Sequence, residues 1–368
     1  MTDGARSTIF IQSLALTRFR NHDRFTVEAD ARPIAIHGRN GAGKTNILEA
    51  VSMLSPGRGL RGAKVEEIAG RPDPIGWSVR GAVEGPEGAR RLSVSVDLRD
   101  GAKRQVRIDD EPASQTALGE ILRMTWLTPA MDRLWIEGAS ERRRFLDRAT
   151  LAFEPAHGER AAAYERAMRE RNRLLKEGGA PGAWLDALEE RMAEAGALMA
   201  RARAALIARW EAAQAEAESA FPTAGLSLEE ADESRIAGLE GDWTASAFSA
   251  ALARGRGRDA AAGRTLVGPH RVDLAATYLA KGVEAKLCST GEQKALLISL
   301  TLATARALAA ETGSPPILLL DEVAAHLDAG RRAALFDEIC ALGAQAWMTG
   351  TGPELFEALG DRALDLAL

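Results

Sequence analysis

Hydrophobic and polar positions alternate through residues 8–36 and become continuously apolar just before Gly38, the pattern of three short strands. The alternation returns at 77–109, in Trp77 to Arg80, Arg91 to Val96 and Gln105 to Ile108. The run "EGPEG" punctuates it, so an antiparallel sheet of hairpins is predicted. Residues 156–220 are instead rich in Ala, Arg and Glu. Trp184, Leu188, Met192, Ala195, Met199, Leu206 and Trp210 recur at steps of three or four, with one gap of seven. That is the stripe of an amphipathic helix, and "GGAPG" at 178–182 reads as the tip of a helical hairpin. From Arg254, "RGRGRDAAAGRTLVGPHRVDL" reads as a Gly- and Arg-rich loop that returns to a strand. Leu296, Leu297, Leu300, Ala303, Ala307 and Leu308 then predict a helix, with Ser289 or Thr290 as its N-cap. Ile317–Leu320 is a continuous apolar strand of the kind buried on both faces in a central parallel sheet. The last strand predicted is Ala346 to Met348, ending at Thr349.

Length and composition narrow the class. A chain of 368 residues allows roughly two domains. Residues 1–150 and 255–368 are expected to form a discontinuous α/β head with an attached antiparallel sheet, and 151–254 an inserted helical arm. Hydrophobic content of 46% and charged content of 27% are those of a globular protein. No apolar run approaches the roughly 20 residues of a membrane span, and no signal-peptide core opens the chain. Two cysteines, Cys288 and Cys340, cannot build a disulfide framework or a four-ligand zinc site. A cytoplasmic protein with reduced thiols and no membrane partner is expected. The formal charge of −5 excludes a chain coated in basic residues, so any nucleic-acid site must be a patch or groove.

The stretch "GRNGAGKTN" fits the P-loop pattern: Gly38, Arg39, Asn40, Gly41, Ala42, Gly43, Lys44, Thr45 and Asn46 lie between a strand and a predicted helix. Glycines let successive N–H groups turn inward around phosphates. Lys44 can reach the β- and γ-phosphates, and the Thr45 hydroxyl can ligate Mg²⁺. The helix that follows points its positive end at the same anions. "ILLLDE" supplies the complement. Asp321 is placed to hold Mg²⁺ through water, and Glu322 to orient or activate the attacking water. ATP and Mg²⁺ are the implied cofactors and Lys44, Asp321 and Glu322 the catalytic candidates.

"STGEQ", comprising Ser289, Thr290, Gly291, Glu292 and Gln293, is similar to the ABC-type signature, with Glu292 read in place of the second glycine. A hydroxyl and free N–H groups at a helix N-terminus make an anion site. The span between P-loop and signature exceeds that of transporter subunits and falls far short of SMC coiled coils. Together with "LTRFRNH" (Leu16–His22), "GASERRRFLD" (Gly138–Asp147) and "VGPHRVDL" (Val267–Leu274), it makes the chain resemble the RecF family from about Ile9 to Thr349. The resemblance implies a slow, DNA-stimulated ATPase of replication, recombinational repair and the SOS response to DNA damage. It implies a signature that caps the γ-phosphate held by a second copy, a D-loop at His326, Leu327 and Asp328, and an ATP-dependent homodimer. It also implies binding to duplex DNA and single-strand/double-strand junctions, and cooperation with RecR and RecO to load RecA. The chain departs from the family in three places. "MTWLTPAMD" carries no Q-loop glutamine, leaving Thr125 or Thr128 as substitutes. Thr349 stands where a switch histidine would be. Asp-Glu replaces the commoner Asp-Asp.

Arg58, Arg61, Arg254, Arg256 and Arg258 are the DNA-contact candidates, because cationic phosphate contacts dominate nonspecific affinity. Arg58 and Arg61 can serve DNA or local ion pairs. The run Arg142–Arg144 is read as structural. His270 can contact nucleotide or satisfy a buried hydrogen bond. The competing readings are a transport-coupled ATPase subunit and an SMC-like structural tether.

Overall fold

Apolar residues alternate between two cores on either side of one parallel sheet, which explains the continuous runs in the sequence. A computed structural model describes residues 8–70, 75–179, 181–230 and 243–368. The sheet is formed by β3 (Ile34–His37), β8 (Met124–Leu127), β12 (Ile317–Leu320), β13 (Ala346–Gly350) and β14 (Leu364–Ala367), in the order β14-β3-β13-β12-β8. Every neighbouring pair is parallel. Leu318, Leu320 and Met348 enter one core, while Ile317, Leu319 and Trp347 enter the other. Each such aliphatic side chain contributes about 1.5–3 kcal/mol by leaving water. β14 was not expected. Its burial alternates half-buried and exposed, so it is an edge strand with too few apolar residues to stand out.

The predicted hairpins form a separate antiparallel sheet, in the order β2-β1-β4-β5-β6-β7. Its strands are β1 (Phe10–Phe19), β2 (His22–Glu28), β4 (Gly76–Glu84), β5 (Arg90–Asp97), β6 (Arg104–Ile108) and β7 (Glu111–Pro112). One face packs Leu14, Leu16, Val79, Val94 and Val106 onto the helix that follows the P-loop, α1 (Lys44–Ser52). Gln345 joins the two sheets. Its buried amide accepts from Ile11 N–H (3.0 Å) and donates to the carbonyls of Ile11 (3.0 Å) and Asp30 (2.6 Å).

The remaining helices are α2 (Val65–Ile68), α3 (Gln115–Ile121), α4 (Ala139–Phe153), α5 (His157–Glu177), α6 (Gly182–Ala215), α7 (Ala245–Ala262), α8 (Thr290–Thr312) and α9 (Ala329–Leu342). The hairpin is α5 with α6. Of its predicted stripe, Met192, Ala195, Met199, Leu206 and Trp210 are buried, but Trp184, beside the tip, is 61% exposed. α7 corrects the loop expected from Arg254. Alanines outweigh the glycines there, and Phe248, Ala251 and Leu252 bury one face in a third core with Tyr164, Met192 and Met199. β9 (Ala224–Glu229) and β11 (Val283–Glu284) flank β10 (Asp273–Tyr278) in a small antiparallel sheet. α8 corrects a further expectation, being long and apolar enough to cross a membrane. It is apolar all round because it lies between the other elements, with Leu296, Leu300, Ala303 and Leu308 fully buried.

Candidate functional site

The P-loop leaves β3, and the acids leave β12 two strands away, so both emerge at the C-terminal edge of the sheet. In open parallel sheets that edge is where ligands bind. β13 lies between them and brings Thr349 to the same edge.

Two hydroxyls share one carboxylate oxygen. Thr45 Oγ1 donates to Asp321 Oδ1 at 2.9 Å, and Thr349 Oγ1 donates to the same atom at 2.8 Å. The Thr349 oxygen also accepts from the Glu322 N–H at 2.9 Å. Thr349, 1% exposed, therefore orients both acids. Glu322 sits at φ 53°, left-handed for a residue with a Cβ, a conformation costing about 1–3 kcal/mol that the bond to Thr349 helps to hold. The hydroxyl of Thr45 and the carboxylate of Asp321 are hard oxygen donors on one spot, the kind Mg²⁺ takes, and waters and phosphate oxygens would complete its shell. Among the described residues no cluster of three His, Cys, Asp or Glu forms a metal cage. A site completed by phosphate fits that donor set.

Lys44, 5% exposed, folds back on its own loop, with Nζ donating to the carbonyls of Gly38 (2.7 Å) and Arg39 (3.0 Å). Gly43 is at φ 104°, and a Cβ there would collide with the His22 ring and the Asn21 amide. These two residues wall the loop. His22 Nε2–H donates to the Gly43 carbonyl (3.1 Å), and Asn46 Nδ2 donates to Asn21 Oδ1 (2.7 Å). Behind them the buried Glu49 of α1 accepts two bonds from Arg20 (2.6 and 2.8 Å) and one from Arg61 (2.8 Å), and Arg61 also donates to Asn46 (2.7 Å). The sequence singled out Leu16–His22 without a role; in the fold that segment braces the P-loop. Gly41 and Ala42 complete the turn, and Arg39 and Asn40 lie on its exposed side.

Of the Q-loop substitutes, Thr125 is buried inside β8, paired beside Leu318. Thr128 follows the strand end, one residue beyond Leu127, whose carbonyl accepts from the Asp321 N–H at 2.9 Å. Thr128 is thus the one at the edge where the acids stand.

The segment expected to be a signature, Ser289 to Gln293, opens α8 as a closed capping box. Ser289 is the N-cap, and Glu292 accepts from the Ser289 N–H (2.8 Å) and hydroxyl (2.9 Å). Lys281 also bonds Glu292, and that contact first, then the two Ser289 bonds, holds the carboxyl down at about 2. Ser289, Thr290 and Gly291 are exposed, whereas Gln293 is buried and donates to the Cys288 carbonyl (2.9 Å). Of the residues expected to form a D-loop, Leu327 is buried, and Asp328 caps α9 by accepting from the Arg331 N–H (2.8 Å). The His326 side chain lies outside the described residues.

The arginines divide. Arg58 is exposed with no ion pair among the described residues, and Arg254 and Arg258 are on the exposed face of α7. Arg256 is held by Asp186 and by Glu189 (2.5 Å) on α6. Arg142 pairs with Asp273 (2.7 Å), Arg143 donates to the Val272 carbonyl (3.3 Å) and Arg144 pairs with Glu141. All three are accounted for structurally. His270 lies against the arm. Its Nε2–H donates to the Thr265 carbonyl (3.0 Å), so Nδ1 must accept from the Tyr164 hydroxyl (2.7 Å). Burial pushes the imidazole down to about 4.

The RecF/RecN/SMC N-terminal domain model matches residues 10–364. The DNA replication and repair protein RecF of Rhizobium rhizogenes (strain K84) is 49% identical over 359 residues, covering 96% of each chain. That of Caulobacter sp. (strain K31) is 49% identical over 373 residues, covering 96% of this chain and 94% of its own. Among solved structures, a recombination mediator protein RecF bound to ATP in the RecFOR pathway superposes with a TM-score of 0.79 at 24% identity, covering 96% of this chain and 94% of that one. The Smc head domain of Pyrococcus furiosus superposes at 0.52 with 16% identity, over 95% of this chain and 92% of its own. At these identities the structures speak for the fold, that of an ABC-type ATPase head.

Proposed function

From the premise that the chain belongs to the RecF family of DNA replication and repair proteins, we propose that it is an ATP-driven DNA clamp of recombinational repair. ATP binds in the Gly38–Asn46 loop, with Lys44 turning from its own carbonyls to the β- and γ-phosphates. Mg²⁺ held by Thr45 and Asp321 would supply charge neutralisation on the phosphates. Glu322 orients the water that attacks the γ-phosphate. A second copy offers Ser289, Thr290 and Gly291 to that phosphate, so two molecules close on duplex DNA or on a junction with single strand. Hydrolysis removes the shared phosphate and resets the pair. In this setting RecR is the direct partner, with RecO and RecA downstream, and the protein works in the cytoplasm.

The observation that carries the reading is the sharing of Asp321 Oδ1 between Thr45 and Thr349 beside a strained Glu322. Loop, metal-holding acid and water-orienting acid meet at one sheet edge, while the signature serine stands exposed on another element. The test is light scattering with ATP and Mg²⁺. Glu322→Gln should accumulate as an ATP-bound dimer with raised affinity for duplex DNA, and Ser289→Arg should bind ATP yet stay monomeric. A Glu322→Gln protein that remains monomeric under saturating ATP would remove the clamp mechanism.

A further inference from the structure

The antiparallel sheet uses only one of its faces for the core. On the other, strand register sets out rows of side chains. One row, read across β2-β1-β4-β5-β6, is Thr26, Ala15, Arg80, Ser93 and Arg107. The next, two residues along each strand, is Arg24, Thr17, Ser78, Ser95 and Gln105. These ten positions hold three arginines, five hydroxyls and no acid, in a chain whose formal charge is −5. Acids begin in the flanking rows, with Glu28 on one side and Asp97, opposite Gly76 and paired with Arg99, on the other, and at the β6-β7 turn, where Asp110 pairs with Arg91 (2.8 Å).

The three arginines differ from their neighbours. Arg90, Arg91 and Arg99 each pair with an aspartate. Arg24 and Arg80 are exposed and form no ion pair among the described residues, and Arg107 has only the Asp110 carbonyl (2.7 Å). Between them the side chains are short, so a partner can approach the sheet closely. Part of this face forms a shallow depression of about 680 Å³ whose lining includes Ser78, Arg80, Ser93, Ser95, Arg107 and the Arg91–Asp110 pair. Five strands spaced by about 4.8 Å spread the guanidiniums over roughly 19 Å. Charges so dispersed suit a polymer of phosphates better than one small anion. The two rows carry no aromatic residue on which unpaired bases could stack and no large apolar side chain to enter a bilayer.

The geometry points to this solvent face as a docking surface for the sugar–phosphate backbone of duplex DNA, with Arg24, Arg80 and Arg107 as the phosphate contacts. The assignment rests on the duplex-binding reading above and adds to it a second area, on different residues from the arginines that follow the P-loop helix. It is sequence-independent, since hydroxyls and guanidiniums on a flat sheet meet phosphates and not base edges.

The full-length protein is titrated with a fluorescent duplex in ATP and Mg²⁺ across a range of salt. Arg80→Glu/Arg107→Glu should bind about ten-fold more weakly, with a log–log salt slope flatter by about 1.8. Arg80→Gln/Arg107→Gln, which removes charge without adding repulsion, should fall between that variant and the parent. Binding of a fluorescent ATP analogue should match the parent in both. Arg169→Glu on the arm, where the parent arginine pairs with Glu165, should leave the slope unchanged. Parental affinity and slope in both face variants would overturn the proposal while leaving duplex binding intact. An equal loss in Arg169→Glu would overturn it too, by tracing the effect to net charge. If the parent binds no duplex, the duplex reading fails first. Tighter, Arg80-dependent binding to phosphatidylserine vesicles than to duplex would assign the face to a lipid surface instead.

Discussion

Arg171 in the helical arm and Lys44 in the phosphate loop are both buried cations, yet they are held in opposite ways. Every nitrogen of Arg171 is engaged. Nε donates to Glu189 (2.9 Å), one terminal nitrogen to Asp259 (2.7 Å) and Thr265 (3.0 Å), and the other to the Leu252 carbonyl (2.9 Å). The partners come from α6, α7 and the segment beyond, so the arginine ties three pieces of chain to α5. Among the described residues Lys44 bonds only carbonyls of its own loop and forms no ion pair with a carboxylate. A closed network of buried charge is architecture. An open one, beside an acid whose oxygen already gathers two hydroxyls, is a site waiting for an anion.

The contrast predicts opposite responses to the same kind of truncation. Arg171→Ala leaves the buried Asp259 without its cation, while Glu189 keeps Arg256, and should lower unfolding free energy by about 3–5 kcal/mol, read from denaturant titration. Lys44→Ala should unfold at nearly the parent's denaturant midpoint and fail to bind ATP in calorimetry. If both variants lose stability equally, the P-loop lysine is as structural as the arm arginine and the contrast collapses.

Thr349 sharpens the open side. Thr349→Val removes a donor to Asp321 and leaves the Glu322 N–H without its acceptor, which should cost about 1–3 kcal/mol. Phosphate release should slow by more than ATP affinity falls, because the hydroxyl sets the posture of the acids and touches no part of the loop in this state. Thr349→Ser should restore both readouts. A valine variant with full turnover would show that Asp321 and Glu322 hold their places unaided.

The P-loop, the Asp-Glu strand end and α8 were legible in the sequence because each is a local signal. Glycine spacing, an apolar run of four residues and a capping serine need no knowledge of the rest of the chain. Thr349 was visible only as the absence of a histidine. Its function depends on β13 lying between β3 and β12, which is a fact of strand order. Asn21 and His22 were noticed within a family segment, but their contact with Gly43 joins the β1-β2 turn to the P-loop, and no local pattern carries it. The stretch 254–262 defeats a local reading because its glycines have the spacing of a loop. In the fold, Gly255 is buried against Asp259, and tertiary packing of α7 on α6 overrides the local signal. Trp184 fitted the stripe by spacing but lies beside the hairpin tip, beyond the helices that cover the rest.

The smallest expected effect, and the one most specific to the arm, concerns His270. Gly268 precedes it at φ 143°, where any Cβ would strike the Tyr164 hydroxyl, so the turn presents the imidazole between Tyr164 and the Thr265 carbonyl in one tautomer. That pocket holds the neutral ring, with burial lowering it from an ordinary value near 6.5 to about 4. The unfolded chain therefore takes up a proton at higher pH than the folded one. Stability from this group is present in full above about pH 6.5 and declines as pH falls toward 4. His270→Gln should flatten that part of the stability–pH curve, measured by denaturant midpoint at steps between pH 7 and pH 4. Tyr164→Phe, which removes the hydroxyl that donates to Nδ1, should weaken the same window while leaving ATP binding in the head unchanged. An identical acid slope in the parent and both variants would mean that the histidine is not held neutral. The acid response would then fall to Asp147, which His157 and Arg203 (2.8 Å each) hold below the usual range against the opposing effect of burial.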